Sequence, residues 1–201
     1  DYAVSFERSL SGELQYRTPA LMAELAAAHG LSSRRVLDLG CGTGLVGARF
    51  RSRCSWLCGV DLSPKMLAIA RGKEIYDLLV EGDLLEVLEK QDPVDLILAG
   101  DVLNYLGDLG PALSACASGL VEGGHLLFST ERGDEGVGLQ GSGRFQHGDS
   151  YVLDQARRNG FTLVERRTEG LRKEHGEWVS GSLFLLVRKN SFLPTYLPNA
   201  F

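Results

Sequence analysis

From residue 35 onward, apolar residues fall into two kinds of run that take turns along the chain. Stretches 35–39, 56–61, 75–80, 94–99 and 124–130 are short and almost continuously apolar, as strands buried on both faces are. Between them, 44–52, 64–71, 84–90 and 109–119 place apolar residues at helical spacing. This alternation predicts an α/β domain in which a parallel sheet is covered on both faces. Ser63-Pro64 supplies a hydroxyl N-cap and a proline at the first helical position, and Glu122-Gly123-Gly124 is the turn into the fifth strand. After a helix at about 149–158, Phe161–Arg167 and Gly181–Arg188 read as two strands joined through Gly170–Gly176. That connection is too short for a helical crossover, so the pair is expected to be antiparallel at one sheet edge. Residues 131–143 are dense in glycine and are expected to be a mobile loop, a candidate lid.

The most informative turn is Asp38-Leu39-Gly40-Cys41-Gly42-Thr43-Gly44, between the first strand and its helix. Glycines at 40, 42 and 44 strip β-carbons from one side, so a flat or charged ligand can lie against backbone N–H groups. Gly42–Gly47 has the spacing of a dinucleotide fingerprint, and Asp61 ends the next strand where an acid would hold a ribose. A nicotinamide dinucleotide is therefore one candidate ligand. S-adenosylmethionine is the other: it carries an ammonium and a sulfonium and no phosphate. Asp38 at the mouth of the turn repels a pyrophosphate and attracts a cation, which favours the methyl donor. Upstream, Phe6, Leu10, Leu14, Leu21, Met22, Leu25 and Ala26 fit two helices broken near Thr18-Pro19, with His29-Gly30 closing the second. They read as a helical arm over this mouth or as a cover for a sheet edge. The expected division is an arm at 1–30, one domain at 31–189 and a tail at 190–201, where two prolines interrupt any periodicity.

Composition narrows the function classes. A chain of 201 residues with 44% hydrophobic content suits one globular domain. Its 21 Lys and Arg against 26 Asp and Glu, net charge −5, lack the footprint of a nucleic-acid binder. The four cysteines, at 41, 54, 58 and 116, have neither metal-ligand spacing nor a disulfide framework, which predicts no metal, reduced thiols and a cytoplasmic protein. No apolar run approaches the roughly 18–20 residues of a membrane span. The start Asp1-Tyr2-Ala3-Val4 lacks a Met and is not a signal peptide, so the sequence is expected to be part of a larger parent.

Taken together, the acid-GxGxG turn, Gly59-Val60-Asp61-Leu62-Ser63-Pro64, Gly82-Asp83, Val94-Asp95-Leu96-Ile97 and Gly119–Gly124 stand in the order found in class I S-adenosylmethionine-dependent methyltransferases. The chain resembles that family over about residues 35–130. Its two-strand ending resembles the family's reversed last strand. Leu14–Pro19 and Val179–Phe184 resemble the methyltransferase domain found behind tetratricopeptide repeats, although no such repeat lies in this chain. The resemblance implies a Rossmann-like, doubly wound, seven-stranded sheet of order 3-2-1-4-5-7-6 with strand 7 antiparallel. It also implies S-adenosylmethionine as cofactor and S-adenosylhomocysteine as product. Asp38 would face the methionine ammonium, with Gly40, Gly42 and Gly44 beneath the ligand. Asp61 would accept from the ribose hydroxyls. Asp83 would accept from the adenine amino group, the Leu84 N–H would reach a ring nitrogen, and Leu62 and Met66 would pack on the ring. Bland readings stand beside two of these: Asp83 as a helix cap and Met66 as core.

Gly100-Asp101-Val102-Leu103-Asn104-Tyr105 follows the fourth strand, where sheet order reverses, so the reacting methyl is expected there and Asp101 is placed at the cofactor as well. The Asn/Asp-Pro-Pro-Tyr/Phe tetrad of many base and glutamine methyltransferases is missing. Methyl transfer from a sulfonium chiefly needs alignment and exclusion of water, with a base only if the nucleophile arrives protonated. His147, behind the glycine-rich stretch, is the first candidate base, against the alternative of a loop imidazole or a helix-start hydrogen bond. Tyr105, Asp101 and Tyr151 are the other candidates, and Arg144 is placed to hold a carboxylate or phosphate. The expected function is methyl transfer to a small-molecule or protein acceptor. The competing functions are a non-catalytic cofactor-binding module serving a partner, and a nicotinamide oxidoreductase.

Overall fold

Strand β1 (Ser33–Leu39) is central because its neighbours on both sides are strands that follow it much later or directly. It pairs in parallel with β2 (Cys54–Asp61) on one side and β4 (Val94–Ala99) on the other. Beyond them lie β3 (Leu78–Glu81) and β5 (Leu120–Gly133), both also parallel. The structure is a computed structural model that describes residues 15–189. Phe6, Leu10 and Leu14 of the expected arm, and the 190–201 tail, lie outside the described residues.

β9 (Glu177–Arg188) runs antiparallel to β5, and β8 (Phe161–Glu174) pairs antiparallel with β9. With β9 and β8 in the seventh and sixth places, the order is the expected 3-2-1-4-5-7-6. The count differs: the sheet has nine strands, because β6 (Val137–Leu139) and β7 (Phe145–Gly148) are added at the end of β5. The stretch 131–143, expected to be a mobile loop, therefore contributes 131–133 and 137–139 to the sheet. Two of its glycines sit in the turns of that addition, Gly136 at φ +56° and Gly143 at φ +80°, in a region that costs other residues strain.

Strand alternation sorts the core into two layers. Val36, Leu57, Leu96, Leu98, Leu127 and Leu185 meet α1 (Thr18–Ala28) and α2 (Leu45–Phe50) on one face. Leu37, Leu39, Ile97, Phe128, Phe184 and Leu186 meet α4 (Leu84–Lys90), α5 (Gly110–Gly119) and α6 (Asp149–Arg158) on the other. Phe128 and Phe184 stack at 5.1 Å across the β5–β9 pair, which anchors the reversed strand to the middle of the sheet. Between β2 and β3, α3 (Pro64–Gly72) begins at Ser63, whose hydroxyl accepts the Met66 N–H.

Helix α1 departs from the expected arm. Met22, Leu25 and Ala26 are fully buried in the first layer, so this part of 1–30 belongs to the domain core. It ends as expected: Gly30, at φ +60°, donates to Ala27 and Leu31 donates to Ala26, a left-handed glycine stop. At the other end of α1 the chain leaves β8, where Arg17 N donates to Leu171 O, and runs past the carboxyl ends of the strands. There β1 turns toward β2 while β4 lies on its other side, which opens a crevice at the switch point.

Candidate functional site

That crevice is a cavity of about 480 Å³, within the range of small-ligand sites. At its β2–β3 end the wall is Gly42, Asp61, Leu62, Met66, Asp83 and Leu84. Gly42 sits at φ +54°, and a β-carbon there would meet no described atom within 4 Å, so backbone faces open space. Asp61 holds the turn together: Oδ2 accepts Gly42 N at 2.8 Å and Oδ1 accepts Ser63 N at 2.8 Å. Each oxygen keeps a second acceptor site for a ligand. Leu62 is 70% exposed on the rim, where it presents an apolar surface.

The β4–β5 end is different in kind. Asp101 is at φ +55°, a strained conformation for a residue with a side chain, and its N–H donates to Ser129 Oγ. Its carboxylate accepts Ser129 Oγ at 3.0 Å, Thr18 Oγ1 at 3.3 Å and Arg172 Nη1 at 3.4 Å. Burial raises the Asp101 carboxyl, while Arg172 opposes that shift. Burial and Asp101 together keep the Tyr16 phenol protonated beside it. Arg172, 5% exposed, also donates to Glu131 and, through Nε at 2.9 Å, to Glu174. Burial disfavours its charge, but Asp101 and Glu131 outweigh that cost. Arg144 pairs with Glu174 from the other side.

Residues 37–128 match a family model described as a methyltransferase domain. The chain is 32% identical over 109 residues to the ubiquinone biosynthesis O-methyltransferase of Alkalilimnicola ehrlichii, a match covering 50% of this chain and 43% of that protein. It is 34% identical over 96 residues to the malonyl-[acyl-carrier protein] O-methyltransferase of Erwinia pyrifoliae, covering 48% and 37%. The chain thus spans less than half the length of these curated relatives. A solved structure, the N-methyltransferase NodS of Bradyrhizobium japonicum with S-adenosyl-L-homocysteine, superposes with a TM-score of 0.70 at 21% identity over 94% of this chain and all of that one. At that identity the likeness establishes the fold. The matched segment stops short of Glu131, Arg144, Arg172 and Glu174, so the β4–β5 end lies largely outside it.

The glycine turn after β1 holds some expected residues at the cavity and displaces others. Gly40 and Gly42 line the cavity but Gly44 does not; a β-carbon on Gly40 would lie 2.3 Å from Val102, and one on Gly44 would lie 3.0 Å from Tyr76. Of the three, only Gly42 has open space where a β-carbon would stand. Asp83 reaches the wall, yet Oδ1 is committed as the cap of α4, accepting Leu85 N at 2.8 Å. Asp38 is a correction: it is 1% exposed, does not line the cavity and accepts the Tyr76 hydroxyl at 2.6 Å. Strand alternation puts it on the Val36 side, over which Tyr76 packs. The charge argument against a pyrophosphate therefore passes to Asp61 and Asp83, since the only cations on the cavity wall among the described residues are Arg144 and Arg172 at the other end.

Burial, opposed by the Tyr76 hydroxyl and the Gly47 N–H, pushes the Asp38 carboxyl up to about 7. The folded chain then holds a proton between 3.8 and about 7 that the unfolded chain has released. Stability from this site is present at the acid end of that window and is lost as pH rises through it. Urea unfolding at pH 5 and pH 7.5 should show a fall that Asp38→Asn flattens; an unchanged slope in the variant would assign the dependence elsewhere.

His147 is the second correction. It is fully buried, does not line the cavity, and its Nε2 donates to Leu106 O at 2.9 Å and Gly107 O at 3.2 Å. Burial lowers its basicity despite those carbonyls, and it pins β7 to the 106–107 segment instead of taking a proton. Tyr151 stacks on it and is tied to Asp108 and Leu109, also away from the cavity. Tyr105, 63% exposed, and Asp101 are the catalytic candidates that do reach it. Tyr16, Asn104, Arg172 and Glu174 were not singled out from sequence; Arg172 and Glu174 are two apart on β8, while Tyr16 and Asn104 come from elsewhere in the chain. No group of three or more metal-ligating side chains is found among the described residues, and no described helix is long and apolar enough to cross a membrane.

Proposed function

We propose that this chain is an S-adenosylmethionine-dependent methyltransferase acting on a small-molecule acceptor. The observation that carries the reading is one continuous cavity whose β2–β3 end suits an adenosyl group and whose β4–β5 end is polar and open. Bound S-adenosylmethionine would supply a methyl group already activated on sulfonium. Asp61 holds the ribose hydroxyls with the acceptor sites left by Gly42 and Ser63. Leu62 and Met66 cover the adenine faces, and Asp83 meets its amino group with the oxygen that does not cap α4. Gly42 lets the methionine part lie on backbone. Tyr16 and Tyr105 wall the space where the acceptor stands and keep water out. Asp101, strained and raised by burial, takes the proton when the nucleophile arrives protonated. The names of the two curated relatives, both O-methyltransferases, support an oxygen nucleophile.

A non-catalytic module would be expected to have side chains plugging the acceptor end, whereas the space runs unbroken to Tyr105 and Arg172. The test is calorimetric titration with S-adenosylmethionine, S-adenosylhomocysteine and NAD⁺. Both adenosyl ligands should bind and NAD⁺ should not. Asp61→Ala should weaken adenosyl binding about 100-fold, as loss of two charge-assisted hydrogen bonds implies. NAD⁺ binding, or silence from all three, would overturn the reading.

A further inference from the structure

The acceptor end holds more carboxylates than its guanidiniums can serve. Arg144 and Arg172 face Asp101, Glu131 and Glu174. Glu131 is fixed: it is 4% exposed, and its Oε1 receives Arg172 Nη2 and, at 3.2 Å, Asn104 Nδ2. Asp101 is fixed by Ser129 and Thr18 as well as by Arg172. Glu174 is not. Its side chain is 30% exposed on the cavity wall, and its only described partners are the two guanidiniums, which share a single oxygen, Oε1. It is also the last residue of β8, next to the left-handed turn at His175 and Gly176.

Two further groups at this end are left unsatisfied. Asn104 Oδ1 is buried without a hydrogen-bond partner, and Arg144 Nε lies 2.7 Å from Glu131 without the alignment of a hydrogen bond. A buried amide oxygen with no partner, beside a guanidinium N–H out of line with its carboxylate, suits a site completed by a ligand.

We propose that Glu174 is a place-holder for a carboxylate of the methyl acceptor, which enters between Arg144 and Arg172 as Glu174 swings out to solvent. The proposal rests on the methyltransferase reading above. The exchange leaves the charge of the site unchanged, one carboxylate replacing another, and a planar carboxylate matches the guanidinium forks. A phosphate dianion would add a charge facing Glu131 and Asp101, which the same site opposes.

The test uses the full chain with and without S-adenosylhomocysteine, titrated calorimetrically with benzoate, benzamide and methyl phosphate. Benzoate should bind and its neutral isostere should not. Glu174→Gln, a conservative change at a partly exposed position, should tighten benzoate about tenfold by removing the competing anion, and Arg144→Gln should weaken it by about as much. Equal binding of benzoate and benzamide, tighter binding of methyl phosphate, no carboxylate binding in either form, or no gain in Glu174→Gln would each overturn the proposal. Failure of the donor reading looks different: S-adenosylhomocysteine would not bind while the benzoate response persisted.

Discussion

Replacing Arg172 with Met is expected to lower the free energy of unfolding by about 3–5 kcal/mol, measured by urea denaturation at neutral pH. The length and most of the apolar stem are kept, so lost packing contributes little. What changes is charge. Arg172 is 5% exposed and, among the described residues, is the one cation that touches Asp101, Glu131 and Glu174 together. Without it, Glu131 remains buried with only Arg144 and Asn104 beside it, and the Asp101 carboxyl loses the group that opposes its upward shift. Removing one member of a buried ion network costs far more than the network's net worth, because the partner's desolvation is left uncompensated. Adding Glu131→Gln to Arg172→Met should therefore recover part of the loss. A single-variant cost below about 1 kcal/mol would mean that water already reaches these carboxylates, as in an exposed pair.

What was legible in the sequence was whatever a single strand-turn-helix unit writes locally. The buried parallel strands are continuous apolar runs with glycine or acid at their ends, so Val36–Leu39, Leu57–Val60 and Leu96–Ala99 announce themselves. Gly42, Asp61 and Asp83 lie at or just after the ends of β1, β2 and β3, and for that reason the β2–β3 wall of the cavity was readable. The β4–β5 end was not, because Tyr16, Asp101, Glu131, Arg144 and Arg172 arrive from five places in the chain, and Glu131 meets Arg172 across 41 positions. Only Asp101 and Arg144 carried a local signal. The two misplaced residues failed for one shared reason, strand parity. Asp38 follows Val36 to the α1–α2 face, and His147 follows Phe145 toward the 106–107 segment, where Phe145 also packs against Gly107. Parity could have warned of Asp38 from the pattern Val-Leu-Asp-Leu. It could not have warned of His147, since the strand that carries it is formed by glycine-rich sequence that looks like a loop.

Gly42→Val is expected to leave the domain folded and to weaken S-adenosylmethionine binding by at least about a thousandfold, near 4 kcal/mol. The three glycines of the turn look equivalent in sequence, and the structure gives each a different burden. At Gly40 a β-carbon would strike Val102, and at Gly44 it would press on Tyr76, so substitution there acts first on the fold. At Gly42 a β-carbon meets nothing described within 4 Å, and the cost to the empty chain is confined to left-handed strain of about 1–2 kcal/mol. The valine methyl groups instead occupy the space where the ligand must lie on backbone, and the Gly42 N–H, already held by Asp61 Oδ2, fixes the turn so that it cannot retreat. Thermal unfolding separates the two effects: Gly42→Val should melt a few degrees below the parent and show no stabilisation by S-adenosylmethionine, while Gly40→Val should be far less stable before any ligand is added. If Gly42→Val still binds the donor within about tenfold of the parent, the ligand does not rest on this turn, and the cavity must be read from its acceptor end alone.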